Sequence, residues 1–404
     1  MAPQTPSVEA DRTLYDLYSL DGGDPNEVAH VIALCPPNGS ASSSLPESSK
    51  YTFQSPLLPK LDNEFIARIY LGNGSQNHAF AAGPIQLYLF DIDPPRADAQ
   101  NGITERPPAA HTDAQRTFNS LILAQRPNLS FIPNPTGFKP KPRVKISPYP
   151  PLDFLDEHLT ISTLSPADVL DEDVVKAEAR RVFVMRTETI KAKRTKLFEI
   201  EVTHMLRRLT PRNKHLRHVS LPIQDYVEGD TKNQSMFITK SGRAGFICTV
   251  EQFLDEDGLY RASIIDYERQ DRYKKEYSDI INKATSYCHS RGYWGPLGCD
   301  VMTDSAGRQR IVDLNVRITG DYFMGLLKGH FHERHGFNYS YLINLFAVLR
   351  NRDSFEKTFK KELMGKHEYS IGSVLIRGID HEHCLELADS INAIVLPKPQ
   401  QEQP

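Results

Sequence analysis

Two aspartates, an asparagine and an arginine in the last third of the chain have the residue types and spacing of a metal and phosphate site. Asp300 and Asp313 lie 313 − 300 = 13 positions apart, on either side of Asp304-Ser305-Ala306-Gly307, a run suited to a tight turn. Folding at that turn brings the two carboxylates face to face across a hairpin. Side chains two apart on a strand point the same way, so Asp313, Asn315 and Arg317 share one face. Two carboxylates and an amide oxygen suit a hard cation such as magnesium, which also takes phosphate oxygens and water. The fork-shaped, permanently charged guanidinium of Arg317 suits a phosphoryl group. The plainer reading is a solvated polar hairpin with Asp313 and Arg317 paired across it. What favours the site is the Gly-rich lead-in, Gly292-Tyr293-Trp294-Gly295-Pro296-Leu297-Gly298, together with Asp300 at hairpin spacing.

The elements that position these residues can be read from apolar periodicity. Val31–Cys35 and Ile85–Phe90 are strand-like runs that end in turn residues, as in an α/β sheet. A Ser-rich stretch from Ser40 to Ser49 and a proline-dense stretch over 133–151 read as loops, the second as a domain junction. Beyond it, Val182–Arg186, Leu197–Ile200 and Leu221–Gly229 read as strands. Ser235–Thr239 and Gly245–Val250 form a hairpin about Lys240-Ser241-Gly242-Arg243. Tyr273, Tyr277, Ile280, Ala284 and Tyr287 recur at helical steps, predicting a helix over 273–288 closed by Gly292. Residues 339–349 are expected to form an apolar helix, and Ser373–Arg377 a strand before an amphipathic stretch around Cys384, Leu387 and Ile391.

Composition narrows the function classes. The chain has 404 residues, enough for two or three packed units. A net charge of −3 gives no general affinity for nucleic acid or anionic membrane. No apolar run approaches the roughly 20 residues needed to span a bilayer. The N-terminus lacks a basic start and apolar block, so a cytoplasmic location is expected. Five scattered cysteines (Cys35, Cys248, Cys288, Cys299, Cys384) have no metal-site spacing and read as buried reduced thiols. His330, His332 and His335 lie close together without acidic or cysteine company at metal spacing, and read as the polar end of a helix near the site. Thr319, Gly320 and Asp321 follow the metal strand directly and are expected to shape an acceptor pocket.

The order of Gly-rich segment, acidic residue, hairpin turn and acidic-x-Asn-x-Arg resembles the metal- and phosphate-binding end of the ATP-grasp superfamily. The string Gly292-Tyr293-Trp294-Gly295-Pro296-Leu297-Gly298-Cys299-Asp300-Val301-Met302 is similar to a fungal-type branch of it, known from solid-state culture and secondary metabolism. The resemblance covers roughly residues 150–400 and is specific from about 220 to 325. It implies an α/β (α+β) ATP-grasp fold with an N-terminal α/β domain over 1–150, a lid subdomain over 151–225 and a C-terminal subdomain over 226–400. Asp300, Asp313 and Asn315 would then hold magnesium (or manganese in its place), and Arg317 would touch phosphate or an acyl intermediate. In Leu221–Gly229, Gln224 would face the adenine amino group and the backbone of Asp225, Tyr226 and Val227 would lie beside the ring. Glu228 or Asp230 would reach the ribose.

Upstream, the chain departs from the family pattern. Where a phosphate-binding Lys and a Gly-rich loop are expected, it has Arg186 and then Thr187–Thr195 without glycine. Arg186 would replace the Lys, and the basic run that includes Lys193 would substitute for loop amides. The resemblance implies an ADP-forming ligase that makes an acyl phosphate from a small carboxylate and ATP. That intermediate then passes to an amine or other nucleophile, with no nucleic acid or membrane partner and with a homodimer as the assembly. The alternative is a non-catalytic nucleotide-binding relative with a regulatory or scaffold role, which the Gly-less loop favours.

Overall fold

The computed structural model describes residues 8–32, 79–90, 109–132, 138–141, 144–149, 229–254, 260–348 and 370–378. It contains two sheets with helices against them, the mixed α/β class expected. A short helix α1 (Leu14–Tyr18) starts at Thr13 in a capping box with Asp16. Strands β1 (Val28–Ile32), β2 (Gln86–Phe90), β3 (Asn128–Ile132) and β4 (Lys145–Tyr149) form a four-stranded sheet of order β3-β2-β1-β4, with helix α2 (Ala109–Asn119) between β2 and β3 in the chain. All its pairings are parallel. Every residue of the inner strand β1 is buried, as parallel strands covered on both faces require. Pro148 sits on β4, an edge strand, where a missing N–H is tolerated.

The larger sheet is antiparallel throughout. Its strands are β5 (Gly229–Ile238), β6 (Ala244–Leu254), β7 (Tyr260–Asp266), β8 (Gly295–Asp304), β9 (Gln309–Asn315), β10 (Tyr339–Val348) and β11 (Ser370–Gly378), in the order β11-β10-β7-β6-β5-β8-β9. Both expected hairpins are present. The β5–β6 turn closes through Thr239 and Arg243 with Gly242 at φ 88°, and the β8–β9 turn through Asp304 and Arg308 with Gly307 at φ 76°. Those positive φ values are what the two glycines supply. The Asp304 carboxylate accepts from the backbone N–H groups of Ala306 and Arg308, which fixes the second turn.

Three sequence expectations are corrected. Residues 145–149, inside the proline-dense stretch expected to be a loop, form strand β4 paired with β1. Residues 339–348 form strand β10, not a helix: Tyr339–Ile343 pairs with β7 on one side, and the strand pairs with β11 on the other. A short, largely apolar run fits a strand as well as a helix by periodicity alone, and here pairing with β7 and β11 decides for the strand. The helix over 273–288 is two, α3 (Gln270–Glu276) and α4 (Ser278–His289), broken at Tyr277 with φ −99° and ψ 5°. Helix α4 buries Ile280, Ile281, Ala284, Thr285 and Cys288, one stripe of period 3.6. Tyr287 falls outside that stripe, 40% exposed under the Arg291 guanidinium.

Leu14, Leu17 and Tyr18 of α1 belong to the same core cluster as Phe237, Trp294, Leu297 and Cys299. The Tyr18 ring meets Phe237 and Trp294 edge-on at 5.0 and 5.4 Å. Cys248, Cys288 and Cys299 are buried free thiols, as expected, and burial raises the pKa of each. Among the described residues no helix is long and apolar enough to cross a membrane.

Candidate functional site

One face of the large sheet carries a row of polar side chains. Strand pairing sets Asn233 opposite Asp300 and Asp300 opposite Asp313, while Ser235 faces Gly298 and Gly298 faces Asn315. On the other side of β5, Asn233 faces Val250, so Gln252 shares its side of the sheet, and Gln252 faces Ser263 of β7. Five strands thus deliver Ser263, Gln252, Asn233, Asp300 and Asp313 to one surface. Together with Asn315, Arg317, Thr319, Gly320 and Asp321 they line a cavity of about 230 Å³.

The carboxylates in this cavity are held at close quarters. Asn233 Nδ2 donates to Asp300 Oδ1 at 2.8 Å, and Gln252 Nε2 lies 3.4 Å from both Asp300 oxygens. Asn315 Nδ2 donates to Asp313 Oδ2 at 3.3 Å, as residues two apart on a strand can. Burial pushes the Asp300 carboxyl up to about 6, helped by the neighbouring charges of Asp313 and Asp321 and opposed by the amide hydrogen bonds. Arg317 lies beyond the end of β9, where its N–H bonds Asn315 O at 2.8 Å and its Nη1 donates to Ile318 O at 3.1 Å.

The Gly-rich lead-in has a steric meaning. A Cβ on Gly298 would stand 2.2 Å from Thr319 Cγ2, so only glycine lets the 317–321 segment lie against β8. Gly292 and Gly295 take φ of 87° and 139°, which turn the chain out of α4 and into β8. Thr319 Oγ1 and Ser235 Oγ share a hydrogen bond of 2.9 Å, tying that segment to β5. Asp321 is 6% exposed, and Ser263 Oγ donates to its Oδ2 at 3.1 Å. Burial raises the Asp321 carboxyl, countered by the Thr319 and Ser263 hydroxyls.

Asp300, Asp313, Asn315 and Arg317 come together in the cavity, joined by Thr319, Gly320 and Asp321. Asp230 is not among its lining residues: it lies three positions along β5 from Asn233, on the other face of the strand, and pairs with Lys232 at 2.7 Å. Arg186, Lys193, Gln224, Asp225, Tyr226, Val227 and Glu228 lie outside the described residues, as does the basic run. His330 and His332 fall in a π-helical turn, Gly329–Glu333, beside the 8–14 segment and not in the cavity. Asn233, Gln252 and Ser263 were not singled out from sequence. Nothing in their local pattern marks them, because only strand order brings β5, β6 and β7 to the carboxylates.

The oxygen-rich set of Asp300, Asp313 and Asn315 fits a hard divalent cation completed by phosphate and water. Two facing carboxylates, with the pKa of Asp300 raised, are a charge arrangement that such a cation would relieve. Among the described residues no group of three or more His, Cys, Asp and Glu side chains converges on a single metal position, so Asp321 does not join the pair in one acidic cage.

No protein-family model matches the chain, and no curated protein matches it. Solved structures with some likeness include L-amino acid ligase from Bacillus licheniformis, 9% identical over 92% of this chain and 99% of that one, with a TM-score of 0.41. N5-carboxyaminoimidazole ribonucleotide synthetase from Thermus thermophilus is 13% identical over 93% of this chain and 100% of that one, with a TM-score of 0.39. For N5-carboxyaminoimidazole synthetase from Staphylococcus aureus complexed with ADP, 11% identical at a TM-score of 0.28, the match spans 42% of this chain and only 51% of that one. At these TM-scores the likenesses assign neither a family nor an activity to the chain.

Proposed function

We propose that the chain is an ATP-grasp-type ligase, using ATP and magnesium to activate a small carboxylate as an acyl phosphate and join it to an amine or other nucleophile, with release of ADP. The observation that carries this reading is the convergence of Asp300, Asp313, Asn315 and Arg317 on one cavity, with the two carboxylates directly opposed across β8 and β9. Phosphoryl transfer asks a protein mainly for positioning and charge stabilisation. Asp300, Asp313 and Asn315 would hold the ion, and Arg317 would orient and neutralise the phosphoryl group at the carboxylate. Magnesium bound there would draw the nucleotide's phosphate oxygens into line and offset their charge. Asn233 and Gln252 donate hydrogen bonds to Asp300 and keep its carboxylate in a fixed direction. The likeness of Gly292–Met302 to the fungal-type ATP-grasp branch supports the same reading, on which Arg186 and Lys193 would contact phosphate, Gln224–Val227 would line the adenine, and Glu228 or Asp230 would reach the ribose. Nucleotide binding without turnover is the second reading, favoured by the absence of glycine in Thr187–Thr195.

Thermal melting with ATP and magnesium, followed by ADP release in a pool of carboxylates and amines, separates the two. The ligase reading expects stabilisation together with ADP release. Stabilisation without turnover supports the second reading, and no stabilisation by either nucleotide overturns both. Asp313→Asn is expected to abolish the magnesium-dependent part of the stabilisation while the apo melting temperature stays near that of the wild type. A variant that binds magnesium nucleotide as before removes Asp313 from the metal set.

A further inference from the structure

Asp321 does not cap the helix that it precedes, α5 (Tyr322–Gly325): its side chain makes no cap hydrogen bond. It is 94% buried by its 6% exposure, and Ser263 satisfies Oδ2, but Oδ1 has no hydrogen-bond partner among the described residues. A buried carboxylate oxygen left in that state is costly, and such groups persist where a ligand completes them. The residue lines the cavity at the β7 end of the polar row, with strands β6 and β5 between it and β8. Around it stand the hydroxyls of Ser263 and Thr319 and the amides of Asn233 and Gln252, all lining the same cavity. Arg317 is the one cationic side chain among the lining residues, against three carboxylates.

We propose that Asp321 is the binding residue for the amino group of the nucleophilic co-substrate, taken up as a primary ammonium whose nitrogen donates to Oδ1. The inference rests on the ligase reading above and names the nucleophile class for the same cavity. An ammonium brings three donors and no acceptor, and so matches a carboxylate oxygen flanked by hydroxyl and amide oxygens. A thiol or an alcohol would bring no charge to offset the third carboxylate. The carboxylate substrate is repelled by Asp321 and attracted by Arg317, so the two reactants are drawn to different side chains of one cavity.

Melting of the full chain with methylammonium chloride, against tetramethylammonium chloride at equal ionic strength, tests this with and without ATP and magnesium. Tetramethylammonium carries the same charge but no N–H donor. The expected result is a rise of about 2 °C or more with methylammonium at saturation and none with tetramethylammonium. Asp321→Asn should lose that rise and keep the rise given by ATP and magnesium. Equal effects of the two cations, no effect of methylammonium, or a methylammonium shift surviving in Asp321→Asn each overturn the proposal. Loss of the magnesium nucleotide shift in Asp321→Asn overturns it too, since Asp321 would then serve the metal. If the wild type shows no magnesium nucleotide shift, the ligase reading fails, and the methylammonium arms still decide the ammonium site. Should Asp321→Asn melt far below the wild type, Ser263→Ala takes its place: it removes the donor to Oδ2 and leaves the carboxylate less satisfied, so the methylammonium shift must change, and an unchanged shift overturns the proposal.

Discussion

Side chains that touch no ligand set the geometry of this site as much as those that would. Gly298 is the sharpest case, because a single methyl there would overlap Thr319 Cγ2 at 2.2 Å while Asn315 Cβ stands 3.6 Å away. Gly298→Ala is therefore expected to cost about 1–3 kcal/mol, the usual range for forcing atoms into a packed site. It should also move the Arg317–Asp321 segment, so nucleotide stabilisation would fall more than the apo melting temperature alone explains. Equal wild-type and Gly298→Ala responses to magnesium nucleotide would show that Thr319 can give way freely. Asn233 acts through Asp300, whose Oδ1 it holds at 2.8 Å. Partners that orient a metal ligand are commonly worth about 10–100-fold in metal affinity, so Asn233→Ala should raise the magnesium needed for half-maximal nucleotide stabilisation by about 10-fold. An unchanged magnesium titration would make Asn233 a packing residue only.

At the scale of elements, the hairpin β8–β9 was legible because everything that specifies it is local. A turn with Gly307, strand alternation and a spacing of 13 suffice to face Asp300 with Asp313. The rest of the polar row was not legible, since Gln252 and Ser263 enter only through the order β7-β6-β5-β8-β9, a set of long-range pairings with no local signature. The assignment of β10 has a related cause: it is fixed by its pairing with β7 and β11, long-range partners that leave no local signature. The pairing of β5 with β6 has a further fastener on the face away from the cavity. Lys232 bridges Asp230 at 2.7 Å and Glu251 at 2.9 Å, and Tyr273 of α3 donates to the same Glu251 oxygen at 3.1 Å. Burial alone would lower the Lys232 ammonium, but the hydrogen bonds and charges of its two partners outweigh it and raise it. Because Asp230 is 69% and Glu251 45% exposed at the side chain, solvent screens most of the attraction. Lys232→Met should cost about 1 kcal/mol in denaturant unfolding, shrinking as salt is added. The same variant separates two roles for Asp230: a change in nucleotide stabilisation would point to the ribose, and no change to strand pairing alone.

At the scale of the whole molecule, the two sheets meet through aromatic side chains that no sequence period announces. His30 lies in the fully buried strand β1, its ring 5.8 Å from that of Tyr18, which in turn packs on Phe237 of β5 and on Trp294. The apolar run expected over Val31–Cys35 overlaps β1 only at Val31 and Ile32, so His30 lies outside it and no local pattern marks it as facing the junction of the two sheets. His30 is 1% exposed, and its Nε2 has no hydrogen-bond partner among the described residues. Burial lowers its pKa from 6.5 to about 4, so the fold holds the imidazole neutral. Between those values the unfolded chain binds a proton that the folded chain refuses, and stability must rise with pH through that window. The contribution is full above pH 6.5 and is lost as the pH falls to 4, a difference of about 3 kcal/mol by linkage. Asp300, raised to about 6, takes up its proton more readily folded than unfolded and opposes this slope, so the effect is read as a difference: from pH 7 to pH 4 the wild type should lose about 3 kcal/mol relative to His30→Leu in denaturant unfolding, while the variant's fold persists. If the variant keeps the wild-type slope, the acid sensitivity belongs to other groups, and His30 meets its proton in the folded state as readily as in the unfolded one.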